Sequence, residues 1–206
     1  MPRTARHIEP NGYYHVISRS VNEFWILKDD SDFHYFLNLE REAKKRFPLR
    51  LFHYALMNTH FHFVLQTPNT ENLSRHLGWL KWHYTKWTRK KYGWKGPLWR
   101  ERFKNLPIEN EYYLAACGIY VEYNPVRAGI CQHPADYPFT SYNQCHSLSD
   151  DLIDSYELPH RLDRTQGSQF QSPASKIIFS RAPAIGTPEF VHKYRLHRRP
   201  HACPQK

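Results

Sequence analysis

His60 and His62 lie one residue apart in the run LMNTHFHFVLQTP (56–68). Side chains alternate faces along a strand, so the two imidazoles point one way while Phe61 and Phe63 point the other. Two neutral imidazoles on one face can share a divalent cation, with the rest of the coordination drawn from another element. Ordinary strand histidines show the same spacing, and the pair alone does not separate the two readings. The segment GIYVEYNPVRAG (118–129) offers a complement. On a helix, Tyr120 and Asn124 share a face. The Asn124 amide oxygen suits a hard or borderline cation as third ligand, and a tyrosine hydroxyl beside that cation is a nucleophile. Tyr120 equally fits a half-buried helix tyrosine, with Tyr113 and Tyr123 close by. Pro125 disfavours helical backbone at Asn124, which places that residue at the frayed helix end.

A third group lies on the long helix read over 69–93. Leu73, Leu77, Leu80, Tyr84 and Trp87 recur at helical spacing and form the core stripe. Arg75, Trp79, Trp82, Lys86 and Arg89 recur on the opposite side. Bases interleaved with indoles suit phosphate contacts and stacking on unpaired bases. The competing reading is that the C-terminal residues pack over the tryptophans and the charges are solvated.

The bulk numbers agree with a polyanionic partner. Lysine and arginine outnumber the acids 29 to 19, a formal charge of +10. No apolar run is long enough to span a bilayer, the N-terminus lacks a signal-peptide core, and no amphipathic lysine-rich terminus favours a membrane surface. Cys117, Cys131, Cys145 and Cys203 are widely spaced with no C-x-x-C. That argues against a disulfide scaffold or zinc ribbon and fits a reducing, cytoplasmic setting. A zinc set of Cys131, His133, Cys145 and His146 lacks the usual short loop spacing.

Stepping along the chain, strands are expected at 12–20, 49–57, 60–67 and 98–108, and helices at 29–47, 69–93 and 109–125. Asn58-Thr59 joins the middle strands as a hairpin. The order β-α-β-β-α-β-α is an α+β, ferredoxin-like βαββαβ antiparallel sheet with an added C-terminal helix. Residues 1–142 are expected to form one domain. Residues 143–206 read as an irregular extension, with a short basic helix at 187–199 capped by Thr187. That extension could grip DNA through Arg195, Arg198 and Arg199, or cover the site.

At this point the chain resembles a known family. DFHYFLNLEREAKKRFPLRLFHYALMNTHFHFVLQTP is similar to the first half of the single-tyrosine HUH transposases, in particular the REP-associated tyrosine transposases. YYHVISRS precedes it, and LKWHYT, GPLWRERFK and YVEYNPVRAGI follow in family order, so the resemblance covers Tyr13 to Tyr142. It implies a ferredoxin-like core, DNA hairpins as substrate and Mg²⁺ or Mn²⁺ as cofactor. It makes His60 and His62 the metal-binding pair, Asn124 their companion ligand and Tyr120 the nucleophile. One departure is Thr59, where the family commonly has Asn before the first histidine. DNA contacts are then expected from Arg19, Arg75, Trp79, Lys81, Trp82, Lys86, Arg89, Lys90, Arg100, Arg102, Lys104 and Arg127. The expected product of attack is a 5′-phosphotyrosine, in a nucleoid-associated monomer or homodimer, with Tyr120 serving its own chain or its partner's. The alternatives are a hairpin-binding protein without chemistry, or a relaxase or replication-initiator type of nuclease.

Overall fold

The computed structural model describes residues 8–144, 152–156 and 172–196. β1 (Gly12–Arg19), β2 (Arg50–Met57), β3 (His60–Thr67) and β4 (Lys104–Ile108) form an antiparallel sheet in the order β2-β3-β1-β4. Helices α1 (Asp30–Arg46) and α2 (Thr70–Tyr92) cover one face, burying Phe36, Leu77 and Tyr84 against Tyr14, Phe61 and Phe63. Helix α3 (Glu111–Glu122) covers the other, where Leu114, Cys117, Tyr120 and Val121 meet Ile17, Ala55 and Val64. This is the expected ferredoxin-like arrangement, and the alternation of β3 turns its phenylalanines to the first face and its histidines to the second.

Local chemistry sets the element ends. The Asp29 and Asn69 side chains accept backbone N–H bonds at the starts of α1 and α2, caps each worth about 1 kcal/mol. Gly93 closes α2 in the left-handed conformation at φ 63°. The β2–β3 turn is Asn58-Thr59 as expected, and neighbouring backbone pins it. Ser20 N donates to the Thr59 carbonyl at 2.8 Å, and Ile26 N and Leu27 N donate to the Asn58 carbonyl at 2.8 and 3.1 Å.

Two boundaries differ from the sequence reading. The strand expected over 98–108 is confined to Lys104–Ile108. Ahead of it, Trp99 keeps an isolated antiparallel bridge to Ser20, and Lys81 Nζ takes up the carbonyls of Glu101 and Arg102 in the stretch between. The helix expected over 109–125 stops at Glu122, and a short turn, α4 (Asn124–Arg127), continues beyond Tyr123. Gly118 lets α3 lie close on β2, because a Cβ there would come 2.3 Å from the His53 ring.

The C-terminal residues return to the α3 face. Helix α5 (Pro173–Lys176) runs into a π turn, Ile177–Arg181, and α6 (Pro188–Leu196) follows. Ile185 N donates to the Pro107 carbonyl at 2.8 Å and the Ile185 carbonyl accepts from Glu109 N at 3.0 Å, extending the β4 edge. The α6 start carries its expected Thr187 cap, with Phe190 N donating to Thr187 Oγ1 at 3.3 Å. Arg198 and Arg199 lie outside the described residues, as do Cys145, His146 and Cys203. No helix among the described residues is long and apolar enough to cross a membrane.

Candidate active site

β3 opens with His60 directly after the Asn58-Thr59 turn, and the strand period carries His62 along the same face towards the core. His60 is half-buried and His62 only 2% exposed. Burial is the main reason that both are poor bases. It lowers His60 to about 4, with help from Arg19 and Lys176, and holds His62 well below the usual histidine range, with help from His60 and His15. Both rings are therefore neutral near pH 7, the state in which imidazole ligates metals. Thr59 Oγ1 lies 2.9 Å from His60 Nδ1. His15, on β1, places Nε2 2.8 Å from His62 Nδ1, and its own Nδ1 lies 2.6 Å from the Phe179 carbonyl.

Tyr120 occupies the last turn of α3, over the centre of the sheet. It is 2% exposed, and its hydroxyl is 2.8 Å from Ser180 Oγ. The Phe179 ring stacks on it with centroids 4.9 Å apart, and the Arg127 guanidinium lies 3.7 Å from the ring centroid. Arg127 Nη2 donates to the Tyr120 carbonyl at 2.8 Å, while its buried Nη1 has no hydrogen-bond partner among the described residues. Asn124 is not in the same helix as Tyr120, because the backbone breaks at Tyr123. It nonetheless stays beside the site, and its Nδ2 donates to the Val121 carbonyl at 3.0 Å. That bond leaves Oδ1 as the amide atom with a lone pair to offer.

His60, His62, Tyr120 and Asn124 all line one cavity of about 610 Å³, together with Arg19, Arg127, Lys176 and Ser180. Among the described residues no group of three or more His, Cys, Asp or Glu forms a metal cluster. The donor set that fits a divalent ion here is two neutral imidazoles and one amide oxygen, each on a side chain anchored through its other polar atom. Three cations, Arg19, Arg127 and Lys176, line the cavity against one carboxylate, Glu23, a balance that suits an anionic substrate.

A family model described as IS200-like transposase matches residues 9–124. The chain belongs to that family. A protein of Haemophilus influenzae named as a REP-associated tyrosine transposase is 25% identical over 120 residues, covering 53% of this chain and 68% of its own. A solved REP-associated tyrosine transposase bound to a REP hairpin superposes with a TM-score of 0.59. It has 17% identity, and the match covers 79% of this transposase and all of that chain. That likeness concerns the fold.

The transposase distributes the other expected contact residues unevenly. Arg19 and Arg127 line the cavity. On the α2 surface, Trp82 is 56% exposed with Lys86 Nζ 4.6 Å from its ring centroid, and Lys90 is exposed. Arg75 pairs with Glu71 at 2.5 Å, and Arg89 Nη2 donates to the Gly96 carbonyl at 3.2 Å. Trp79 is half-buried under Arg46 and against His83. Arg100 and Arg102 are exposed on the loop before β4. Lys81 and Lys104 are turned inward, onto the Glu101 and Arg102 carbonyls and the Ser180 carbonyl respectively. Sequence reasoning missed His15, Lys176, Phe179 and Ser180. His15 carried one signal, since it shares the Ile17 face of an alternating strand. The other three lie in residues without periodicity.

Proposed function

We propose that this transposase cleaves and rejoins single-stranded DNA at palindromic, REP-type hairpins through a 5′-phosphotyrosine on Tyr120. The observation that carries this reading is the cavity into which Tyr120, His60, His62 and Asn124 open together. His60, His62 and Asn124 would hold Mg²⁺ or Mn²⁺. When bound, such an ion supplies Lewis-acid polarisation of a non-bridging phosphate oxygen. The Tyr120 hydroxyl attacks phosphorus, the 3′-oxygen leaves with a proton, and the phosphate stays on the tyrosine. The free 3′-hydroxyl can later attack that phosphotyrosine, so the bond is conserved without ATP. Arg127 above the ring favours negative charge on the phenol as it develops, and its unpartnered Nη1 is a donor for the phosphate. That one chain brings all four groups to one cavity supports a reaction in cis. Exposed Trp82, Lys86, Lys90, Arg100 and Arg102 are the surface candidates for stacking and phosphate contact.

One observation favours the second reading, hairpin binding without chemistry: Tyr120 is buried and its hydroxyl is held by Ser180. A labelled hairpin with a single-stranded flank, incubated with Mn²⁺ or Mg²⁺ and resolved on a denaturing gel, separates the two. A covalent adduct that disappears in Tyr120→Phe supports cleavage. An adduct that survives Tyr120→Phe removes this tyrosine as nucleophile, and hairpin binding with no adduct supports the second reading.

A further inference from the structure

Among the buried groups at the site, His15 is the one to which neither the chemistry nor the fold assigns a task. It is fully buried in the sheet, one strand away from His62. In the β1–β3 register His15 faces Val64 and Ile17 faces His62, so the two histidines are diagonal neighbours on one face. Their ring centroids are 5.0 Å apart with planes 23° from parallel. With the nitrogens at 2.8 Å, that is an edge-to-edge N–H···N bond in nearly one plane and not a face-to-face stack.

Direction follows from the third member of the chain. The Phe179 carbonyl, 2.6 Å from His15 Nδ1, can only accept, so Nδ1 carries the proton. His15 is wholly buried, and its two ring nitrogens face a carbonyl and another imidazole with no carboxylate bonded to either among the described residues, so an imidazolium there would be uncompensated; the ring is neutral and Nε2 is bare. Nε2 must then accept from His62, which puts the His62 proton on Nδ1.

We propose that His15 is a positioning residue: together with the Phe179 carbonyl it locks His62 in the Nδ1–H tautomer, leaving Nε2 as the lone pair available in the cavity. Ligand histidines in general depend on such a partner for tautomer and ring orientation, and loss of one typically costs 10–100-fold in metal affinity. Here the partner chain runs from π-turn backbone through β1 to β3, joining residues 164 positions apart. The consequence for metal binding rests on the ligand assignment proposed above, whereas the tautomer does not.

The test begins with the metal-free full chain. Long-range ¹H–¹⁵N correlation spectra near pH 7.5, with His62 assigned through His62→Gln, read which ring nitrogen is protonated. A pyrrole-type Nδ1 with a pyridine-type Nε2 supports the inference, and a His62 protonated on Nε2 overturns it. His15→Leu removes the acceptor, whereas His15→Gln can replace it with an amide oxygen. With Mn²⁺ as probe ion in calorimetry, His15→Leu should bind about 10–100-fold more weakly and His15→Gln within a few-fold of wild type. Unchanged Mn²⁺ affinity in a folded His15→Leu overturns the positioning role. If wild type shows the Nδ1–H form and binds no Mn²⁺, the tautomer lock stands and the ligand assignment fails.

Discussion

Among its buried histidines, the transposase sets His76 against a carboxylate on one face of the sheet and His62 against His15 on the other, and the two arrangements are built for opposite ends. On the helical face, His76 of α2 meets Glu40 of α1, with Nε2 2.8 Å from Oε1 and both side chains fully buried. On the α3 face, His62 meets His15, also fully buried, with no carboxylate between them. Burial penalises the imidazolium at both sites. At His76 the Glu40 carboxylate outweighs that penalty and the pKa is raised; at His15 and His62 nothing outweighs it and both fall. Beside Glu40, His76 becomes a charged strut between helices. Beside the neutral His15 ring, His62 becomes a lone-pair donor. Between these two sites the partner, and not the depth of burial, makes the difference.

The widest separation between the two sites should come from truncating each. His76→Ala leaves Glu40 buried without its counter-ion and takes a hydrogen bond from the Phe47 carbonyl. Losing one partner of a buried pair costs about 3–5 kcal/mol, so the urea midpoint should fall steeply while cleavage per folded molecule holds. His60→Ala should do the reverse. His60 is half-buried, and its ring hydrogen-bonds no residue but Thr59 among the described residues, so stability should change by less than about 1 kcal/mol. Cleavage should fall by more than about a hundredfold, beyond what losing an outer-shell partner does. Equal losses of stability and cleavage in both variants would abolish the distinction.

The same contrast shows how much was legible beforehand. The His60 and His62 face, the Asn58-Thr59 turn and the Thr187 cap all follow from alternation and capping rules acting over a few residues. The Tyr120–Asn124 relation was reached on a helix that in fact breaks at Tyr123. Asn124 reaches the cavity because the α4 turn continues along the same side. Contacts such as His15 with Phe179, or Tyr120 with Ser180, join strand or helix to an aperiodic segment. Neither spacing nor composition records such a pairing, because a single backbone carbonyl or hydroxyl makes it. The Glu40–His76 pair was illegible for a similar reason: Glu40 falls in line with the buried stripe of α1, but spacing within one helix does not say which side chain of α2 meets it.

A pH scan of metal-free protein sharpens the comparison further, because the two sites titrate in opposite senses. His76 has a raised pKa in the folded state, so its stabilisation is full below the unfolded value of about 6.5 and is lost as pH rises through the folded one. His60 is lowered to about 4 and His15 to about 3. There the unfolded chain takes the proton first, so stability is lost as pH falls below about 6.5, at roughly 1.4 kcal/mol per pH unit for each site. Urea midpoints measured from pH 4 to 9 should therefore decline at both ends. His76→Gln should flatten the alkaline limb alone and His15→Gln should ease the acid one. An alkaline limb indifferent to His76→Gln would show that the Glu40 pair carries no such charge.

The smallest effect lies within the α3 face, between the two histidines proposed as ligands. His62 takes its partner from another strand, whereas His60 takes its own from the adjacent residue, Thr59. A contact between chain neighbours is held by little besides the turn, and His60 keeps some access to water that can substitute for the lost hydroxyl. Thr59→Val keeps the shape and β-branching and removes only that hydroxyl. Its Mn²⁺ affinity should fall by no more than about tenfold, the low end of the range for orienting partners. Thr59→Ser should restore it. A Thr59→Val loss larger than that of His15→Leu would reverse the ranking and make the turn, not the sheet, the main support of the site. No loss at all would mean that the hairpin backbone, pinned by Ser20, Ile26 and Leu27, already sets the His60 ring without help from the hydroxyl.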